Sequence, residues 1–345
     1  MQFFDFYKKE KSLAFTKLRT GETKLGEKIL SISDEKNWET ELQQSSARYV
    51  IIGIPESIGV KANFGIGGTE TAWKSFLFSF LNIQHNQFLN AEDILLLGAF
   101  EFSSFQEKIK NKSIEFLRDC VSEIDELVYP VIQKIILANK IPIIIGGGHN
   151  NAYGNCKGAA IALQQKNNNS KQKINVINID AHTDFRAIEG RHSGNGFSYA
   201  MHEGFIEKYA VVGVQENYIS QQLLTSIQKN KNIQLHFCED IFLKEKYTLD
   251  EAIQQSIAFT NGNSIGLEVD VDVIENIVSS AMSPSGFSVN QVRKMITQIA
   301  KQREVSYLHI CEGAAQLENE NSSPTIGKLL AFLVSDFIKA NIKKS

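Results

Sequence analysis

The sequence predicts an α/β protein in which helices cover both faces of a mostly parallel β-sheet. Three observations support this prediction. Eight short apolar runs of the kind that form buried strands recur along the chain, and longer segments with helical spacing separate several of them. Such continuous apolar runs are typical of strands that are buried on both faces, as in parallel sheets. Polar residues also gather where several of the runs end.

The predicted strands lie near residues 50, 96, 143, 177, 211, 235, 268 and 308. Helical spacing of apolar residues is clearest over 113–139, 288–302 and 324–342. For the last of these helices, Ser323 is a candidate N-cap, and Pro324 suits the first turn. The chain has no internal repeat and no long linker, so we expect residues 1–345 to form one domain. Residues 1–45 are expected to be an amino-terminal extension packed on it.

The composition argues against several classes of partner. Hydrophobic residues make up 43% of the chain and charged residues 22%, which is ordinary for a soluble globular protein. The 36 Lys and Arg nearly balance the 39 Asp and Glu, so neither nucleic acid nor an acidic membrane is an expected partner. No secretory signal and no run of about 18 apolar residues is present. The scattered cysteines are expected to be buried free thiols in the cytoplasm: Cys120, Cys156, Cys238 and Cys311.

One predicted strand carries an unusual set of charges. In LEVDVDVIEN, residues 267–276, the acidic residues Glu268, Asp270 and Asp272 stand two positions apart. Side chains alternate between the faces of a strand, so all three carboxylates are expected on one face. Burying like charges without a partner is costly in free energy. A positively charged group must therefore face them, unless the strand lies on a solvated edge of the sheet.

Two other predicted strands also end in polar residues. His149 follows the glycine turn of IPIIIGGG, and Asp180, His182 and Asp184 alternate at the end of INVINID. In parallel sheets, ligands bind beyond the carboxyl ends of the strands, where these residues would meet. Oxygen and nitrogen ligands without thiolates suit divalent ions such as Mn²⁺, and four carboxylates favour two ions over one. Two ions about 3.5 Å apart can activate a shared water.

Each of these segments has a second interpretation when it is taken alone. GGGH is also expected in a simple tight turn, and DAHTD in a capped loop. The acidic strand could be solvated at an edge. The three segments together, in this order, indicate a metal site.

The order G-G-x-H, D-A-H-x-D and D-x-D-x-x-[DE] resembles the ureohydrolase family of arginases, agmatinases and formimidoylglutamases. The resemblance covers residues 50–335. It implies a three-layer α/β/α fold with a mostly parallel eight-stranded sheet, and a site for two manganese ions. The implied ligands of one ion are His149, Asp180, Asp184 and Asp270, and those of the other are Asp180, His182, Asp270 and Asp272.

The resemblance also implies roles for two acidic residues. Asp184 would hold a hydroxide that bridges the ions and attacks the substrate, and would then pass a proton to the leaving amine. Glu312 falls where the family has a carboxylate that pairs with an amidinium or guanidinium group. Glu268 stands where the family usually has a neutral residue, so we expect it to support a ligand or to pair with a Lys or Arg. His309 is expected to be a hydrogen-bonded core residue.

Within the family, the sequence is most similar to formimidoylglutamases. The segments GIPESIGVKANFGIGG, GGGHNNAYG and HSGNGF resemble those of that branch. The implied reaction is the hydrolysis of the linear amidine N-formimino-L-glutamate to L-glutamate and formamide, in histidine degradation. The implied protein is a cytoplasmic homo-oligomer that binds a small-molecule substrate.

The substrate site departs from that branch. Ile66 stands where the branch often has an arginine, so Arg186 and Arg191 become candidates to meet a substrate carboxylate. The predicted substrate-binding residues are Asn63, Arg186, Arg191, His192, Asn195 and Asn217. Three alternatives stay open: a hydrolase of a guanidino compound that releases urea, a non-catalytic metal-binding relative, and a deacetylase on a related fold.

Overall fold

A nine-stranded sheet forms the centre of the computed structural model, which describes residues 3–341. The strands are β1 (Phe4–Phe6), β2 (Tyr49–Gly53), β3 (Ile94–Phe100), β4 (Ile141–Ile145), β5 (Ile174–Ile179), β6 (Ile206–Val214), β7 (Ile233–Phe237), β8 (Ile265–Asp270) and β9 (Val305–Cys311). Their order across the sheet is β1-β3-β2-β4-β9-β8-β5-β6-β7. All neighbouring pairs are parallel except β1 and β3.

Fourteen α-helices occur in residues 3–341. They are α1 (Lys9–Ala14), α2 (Leu25–Lys28), α3 (Trp38–Gln44), α4 (Ile58–Ala62), α5 (Thr71–Phe80), α6 (Ser103–Lys108), α7 (Ile114–Leu137), α8 (Ala152–Lys166), α9 (Gly196–His202), α10 (Gln221–Gln228), α11 (Cys238–Phe242), α12 (Leu249–Phe259), α13 (Val289–Gln302) and α14 (Ile326–Ala340). Short 3₁₀ helices span Ala91–Asp93, His149–Asn151, Ser193–Asn195, Glu216–Tyr218 and Val271–Val273. No helix of this part of the chain is both long and apolar enough to cross a membrane.

Two apolar cores lie on opposite faces of the sheet. Alternate residues of β2 divide between them: Tyr49 and Ile51 belong to one core, and Val50 and Ile52 to the other. Helices α5, α12, α13 and α14 supply the first core, and α3, α7, α8 and α9 supply much of the second. The predicted three-layer α/β/α arrangement is therefore confirmed, with all eight predicted strands present.

The ninth strand, β1, was not predicted. It is only three residues long, FDF, and runs antiparallel to β3 at one edge of the sheet. Phe4 and Phe6 are buried while Asp5 is exposed, which is the alternation of a strand, but three residues are too few to make that pattern stand out in a sequence. The amino-terminal segment is further tied down by Lys9, whose ammonium donates to the carbonyl oxygens of Glu27 at 2.8 Å and Ile29 at 3.0 Å.

The three predicted helices correspond to α7, α13 and α14. Residue 342, the last of the predicted 324–342 segment, lies outside the described residues. The predicted start of α14 is wrong. The helix begins at Ile326, because its first backbone hydrogen bond runs from the amide of Leu329 to the carbonyl oxygen of Thr325 at 3.0 Å, while the amide of Ser323 donates to the carbonyl oxygen of Ala315 at 2.9 Å. Ser323 and Pro324 therefore belong to the preceding loop.

Candidate metal centre and active site

Four neighbouring strands, β4, β9, β8 and β5, bring the predicted site residues to one edge of the sheet. After β4 the chain turns through Gly146 and Gly147, which have φ of 88° and 77°. This left-handed backbone favours glycine, and a Cβ at Gly147 would lie 2.7 Å from the carbonyl oxygen of Ile54. The turn places His149, fully buried, at the carboxyl end of the strand.

Backbone amides orient the carboxylates that follow β5 and β8. Asp180 accepts a hydrogen bond from the amide of His182 at 2.6 Å, and Asp270 accepts one from the amide of Asp272 at 2.8 Å. Each carboxylate thus shapes a tight turn and keeps its second oxygen for other partners. Asp184 has a φ of 43°, which is uncommon for a residue with a side chain and is found most often at functional sites.

Two groups of ligand atoms form at this edge. In the first, Nδ1 of His149 lies 2.8 Å from Asp184 Oδ2 and 3.2 Å from Oδ2 of both Asp180 and Asp270. In the second, Nδ1 of His182 lies 3.0 Å from Asp272 Oδ2 and 3.6 Å from Asp180 Oδ1. Within each group, the ligand atoms all lie within 4.8 Å of one another. Asp180 belongs to both groups, whereas Asp270 belongs to the first.

Several buried nitrogen and oxygen atoms of these groups lack a hydrogen-bond partner, and a bound metal ion would satisfy them. Neither ring nitrogen of His149 makes a hydrogen bond of acceptable geometry, and Oδ1 of Asp272 is also unpaired. Unpaired buried polar atoms are costly, and a native protein keeps them for a reason such as an ion. The donor set of imidazole nitrogens and carboxylate oxygens suits Mn²⁺ or a similar divalent cation.

The charges of the cluster lead to the same conclusion. Burial, together with the charge of Asp180, raises the pKa of Asp184 to about 6. Burial and the charges of Asp272 and Asp180 raise the pKa of Asp270 well above its usual value. These carboxylates repel one another in a site that excludes water, and a cation would relieve that repulsion.

A third group of potential ligand atoms, in His149, His309 and Cys311, lies on the other side of the His149 ring. His309 is already engaged there. Its Nδ1 is 2.6 Å from Glu268 Oε2, and its Nε2 is 3.4 Å from the carbonyl oxygen of Gly146. We therefore assign no metal to this group. Glu268 pairs with a histidine, whereas the sequence suggested a Lys or Arg, and His309 is the hydrogen-bonded core residue that was expected.

Glu312 lies between the metal groups and an open cleft. Its φ is 64°, and its Oε1 accepts a hydrogen bond from the amide of His149 at 2.8 Å. Its other oxygen accepts a hydrogen bond from the hydroxyl of Ser280. Burial raises the pKa of Glu312 to about 7, and the nearby charges of Asp272 and Asp184 add to the shift. The carboxylate would be stabilised in its charged form by a cationic ligand in the cleft.

The cleft has a volume of about 270 Å³, and its lining includes Asp184, Asp270, Asp272 and Glu312. Of the residues predicted to bind substrate, Asn63 and Arg186 line it. The guanidinium of Arg186 donates to the side-chain oxygen of Asn63 at 3.0 Å and lies 3.7 Å from a carboxylate oxygen of Glu189. Its side chain is 53% exposed, so a ligand in the cleft could compete with these partners.

The other predicted substrate residues lie elsewhere. Arg191 is buried, where it pairs with Asp125 at 2.8 Å and donates to the side chain of Asn195 at 2.7 Å. The ring of His192 is also buried and accepts a hydrogen bond from the amide of Gly194. The polar atoms of Arg191, His192 and Asn195 are used in hydrogen bonds to one another's loop, to Asp125 and to the carbonyl oxygen of Asn150, and none of the three lines the cleft. Asn217 is exposed and does not line the cleft.

Two of the cleft residues that the sequence analysis missed, Tyr218 and Ser280, contact predicted site residues. The ring of Tyr218, next to Asn217, stacks on His182 with a centroid separation of 4.8 Å. Ser280 comes from the loop between β8 and α13 and bonds to Glu312. A tyrosine after a strand and a serine in a serine-rich loop are too common to be singled out. Only the folding of these loops over the carboxyl ends of the strands makes them part of the site.

The family model described as "Arginase family" matches residues 48–334. The chain belongs to the arginase family. A curated relative, the formimidoylglutamase of Macrococcus caseolyticus, is 28% identical over 288 residues, which cover 82% of this chain and 83% of the relative.

Two solved structures of family members have the same fold. The crystal structure of Trypanosoma cruzi formiminoglutamase with Mn²⁺ matches with a TM-score of 0.70 and 18% identity, and covers 93% of this chain and 100% of that one. The formimidoylglutamase of Bacillus subtilis matches with a TM-score of 0.70 and 19% identity, over 94% and 93% of the two chains. As an arginase-family protein, this chain is a hydrolase that acts on C–N bonds of amidine or guanidino compounds.

Proposed function

We propose that this arginase-family hydrolase is a formimidoylglutamase that holds two Mn²⁺ ions per subunit. The observation that carries the proposal is the pair of ligand groups joined by Asp180, whose members His182, Asp184, Asp270 and Asp272 line a cleft together with Glu312. The reaction adds water to the formimino carbon of N-formimino-L-glutamate and breaks its bond to the glutamate nitrogen. The products are L-glutamate and formamide.

The metal ligands proposed are those of the two groups. His149, Asp180, Asp184 and Asp270 would hold one ion, and Asp180, His182 and Asp272, completed by Asp270, would hold the other. Two such ions supply a water nucleophile that is activated at neutral pH and positive charge for the developing anion.

The chain's own side chains would bind and orient the substrate and move protons. Glu312 would pair with the cationic amidine and align its carbon above the metal ligands, an arrangement supported by the carboxylate's position in the cleft. Asp184, also at the cleft, would accept a proton from the attacking water. It would then deliver that proton to the departing glutamate nitrogen, so that the amine leaves neutral.

Arg186 is the proposed partner of the substrate's carboxylate. Ile66, where the related branch often has an arginine, carries no charge. Arg186 is the one Arg or Lys among the described residues that line the cleft. An arginine can hold a carboxylate through two parallel hydrogen bonds, which would favour an acidic amidine over a cationic guanidine such as agmatine.

Formamide release from N-formimino-L-glutamate by the purified, manganese-loaded protein tests the proposal, with Asp180→Asn as the control. We expect turnover by the wild type and its loss in the variant, because Asp180 belongs to both groups. Urea release from a guanidino compound, without formamide release, would refute the proposed substrate but still support the proposed metal site. Two bound metals without turnover on any amidine or guanidine would identify a non-catalytic relative.

We also propose that residues 1–345 form one domain, because a single sheet connects segments from β1 to β9. Cytoplasmic location and a homo-oligomeric state complete the proposal. Both rest on the sequence alone, and size-exclusion chromatography with light scattering tests the second.

A further inference from the structure

Glu268 is a buried acidic residue that the proposed reaction does not use. It lies in β8, fully buried, with His309 of β9 opposite it in the sheet. Its Oε2 is 2.6 Å from Nδ1 of His309, and its Oε1 accepts a hydrogen bond from the hydroxyl of Tyr307 at 2.8 Å. Oε2 also lies 3.5 Å from Nε2 of His149.

Two histidine rings lie beside the Glu268 carboxylate inside the protein. Both ring nitrogens of His309 face oxygen atoms, those of Glu268 and of the Gly146 carbonyl. Among residues 3–341, His149 and His309 are the basic side chains within ion-pair distance of Glu268.

The two nitrogens of His149 face different surroundings. Nδ1 lies among three aspartate oxygens, at 2.8–3.2 Å, on the side of the proposed metal. A nitrogen that binds a metal carries no proton, so the ring proton of a metal-bound His149 must sit on Nε2. Nε2 is buried and has no hydrogen-bond partner, and Oε2 of Glu268 is the carboxylate oxygen within ion-pair distance of it, at 3.5 Å.

We propose that Glu268 is a positioning residue for the metal-binding face of His149. It accepts the proton-bearing Nε2–H, selects the tautomer whose Nδ1 is free to bind a metal, and makes that nitrogen a better donor. Outer carboxylates of this kind orient metal-binding histidines in general, and their loss weakens metal binding about 10–100-fold. The inference rests on the metal site of the proposed function and adds a residue from outside its ligand set.

The geometry predicts an unequal effect on the two ions. His149 belongs to the group with Asp180, Asp184 and Asp270, whereas the group of Asp180, His182 and Asp272 contains no atom that Glu268 contacts. Neutralising Glu268 should therefore weaken the binding of one ion and leave the binding of the other unchanged. A purely structural Glu268–His309 pair would lower stability without this selectivity.

Glu268→Gln tests the inference, because it keeps the volume of the side chain and removes its charge. Mn²⁺ affinity and stoichiometry are measured by isothermal titration calorimetry on metal-free protein, and retained metal is counted after dialysis. We expect the wild type to bind two ions, and the variant to bind one normally and the other about 10–100-fold more weakly. Asp336→Asn is the matched control, since it removes a carboxylate paired with Arg293 on α13 at 2.6 Å and should leave both affinities unchanged.

Two ions bound by Glu268→Gln with wild-type affinities would overturn the inference, whatever the change in melting temperature. If that variant fails to fold, Glu268→Asp takes its place. This change keeps the charge but shortens the side chain, which moves the carboxylate away from His149. Selective weakening of one ion would then support the inference, and unchanged binding of both would refute it. Failure of the wild-type protein to bind two ions would instead refute the metal site of the proposed function.

Discussion

At the scale of single residues, the site depends on how each polar atom is used. Arg186 and Arg191 have similar positions in the sequence, five residues apart, yet their surroundings differ. The guanidinium of Arg191 donates hydrogen bonds to the side chains of Asp125 and Asn195 and to a backbone oxygen, whereas the side chain of Arg186 is half exposed at the cleft. The sequence suggested both as substrate residues. Of the two arginines, Arg186 alone lines the cleft, where a ligand could compete with Asn63 and Glu189 for its guanidinium.

Replacing Arg186 with Gln should therefore change substrate preference more than catalysis. A charge-assisted hydrogen bond contributes about 1.5–3 kcal/mol, so kcat/KM for N-formimino-L-glutamate should fall about 10–100-fold. An amidine without a carboxylate, such as formamidine, should react with the variant as it does with the wild type. Parallel kinetics on the two substrates measure this difference. Equal losses on both would show that Arg186 does not meet the carboxylate.

The element scale shows what the pattern of residues could predict. Eight strands and helices α7, α13 and α14 follow directly from apolar periodicity, and the six proposed metal ligands from their positions at strand ends. The conformations of the loops could not be predicted, because they depend on contacts with residues that are distant in the sequence. The loop before α14 is bonded to Ala315 through the amide of Ser323, and Ser280 is bonded to Glu312, which is 32 residues away in the sequence.

Strand β7 carries a buried histidine that should make stability depend on pH. His236 is 2% exposed, packs edge-on against Tyr247, and has neither ring nitrogen hydrogen-bonded. Burial lowers its pKa to about 4, although the charge of Asp240 opposes the shift. The unfolded chain, with a histidine pKa of about 6.5, takes up a proton in the window between these values that the native state does not. Stability is therefore lost as the pH falls through that window.

The histidine's contribution can be isolated with His236→Gln. Between pH 7.5 and pH 5, the free energy of unfolding of the wild type should fall by about 2 kcal/mol more than that of the variant. Denaturant titrations at the two pH values provide the measurement. His202→Gln, at an exposed position, is the control and should keep the wild-type dependence. Identical pH dependence of His236→Gln and wild type would contradict the prediction.

At the scale of the whole molecule, the metal groups join distant parts of the chain. His149 follows β4, Asp180 follows β5, and Asp270 ends β8, so the ligands of one ion come from three strands. Strands β5 and β8 pair directly, whereas β4 is joined to β8 only through β9, the last strand in the sequence. The unfolded chain cannot hold such a site, so binding of the ions adds directly to the free energy of unfolding.

Addition of Mn²⁺ to the metal-free protein should consequently raise its melting temperature. A ligand that binds only the native state adds about 2.7 kcal/mol per site when its concentration is 100 times its dissociation constant. Thermal unfolding followed by circular dichroism, with chelator and with increasing Mn²⁺, measures the shift. Asp180→Asn should show a much smaller rise, since Asp180 contributes to both groups. A rise of equal size in this variant would place the stabilising ions elsewhere.

Strand β1 has a consequence for solubility. By pairing with β3 it occupies hydrogen-bonding groups along one border of the sheet, and its Phe4 and Phe6 cover apolar surface beside it. A chain that lacked these residues would present a seven-residue apolar strand with free backbone groups. Such a border is a template for strands of other molecules. The metal residues lie at the ends of strands nearer the middle of the sheet, so damage at this border would appear first as self-association, with the chemistry still intact.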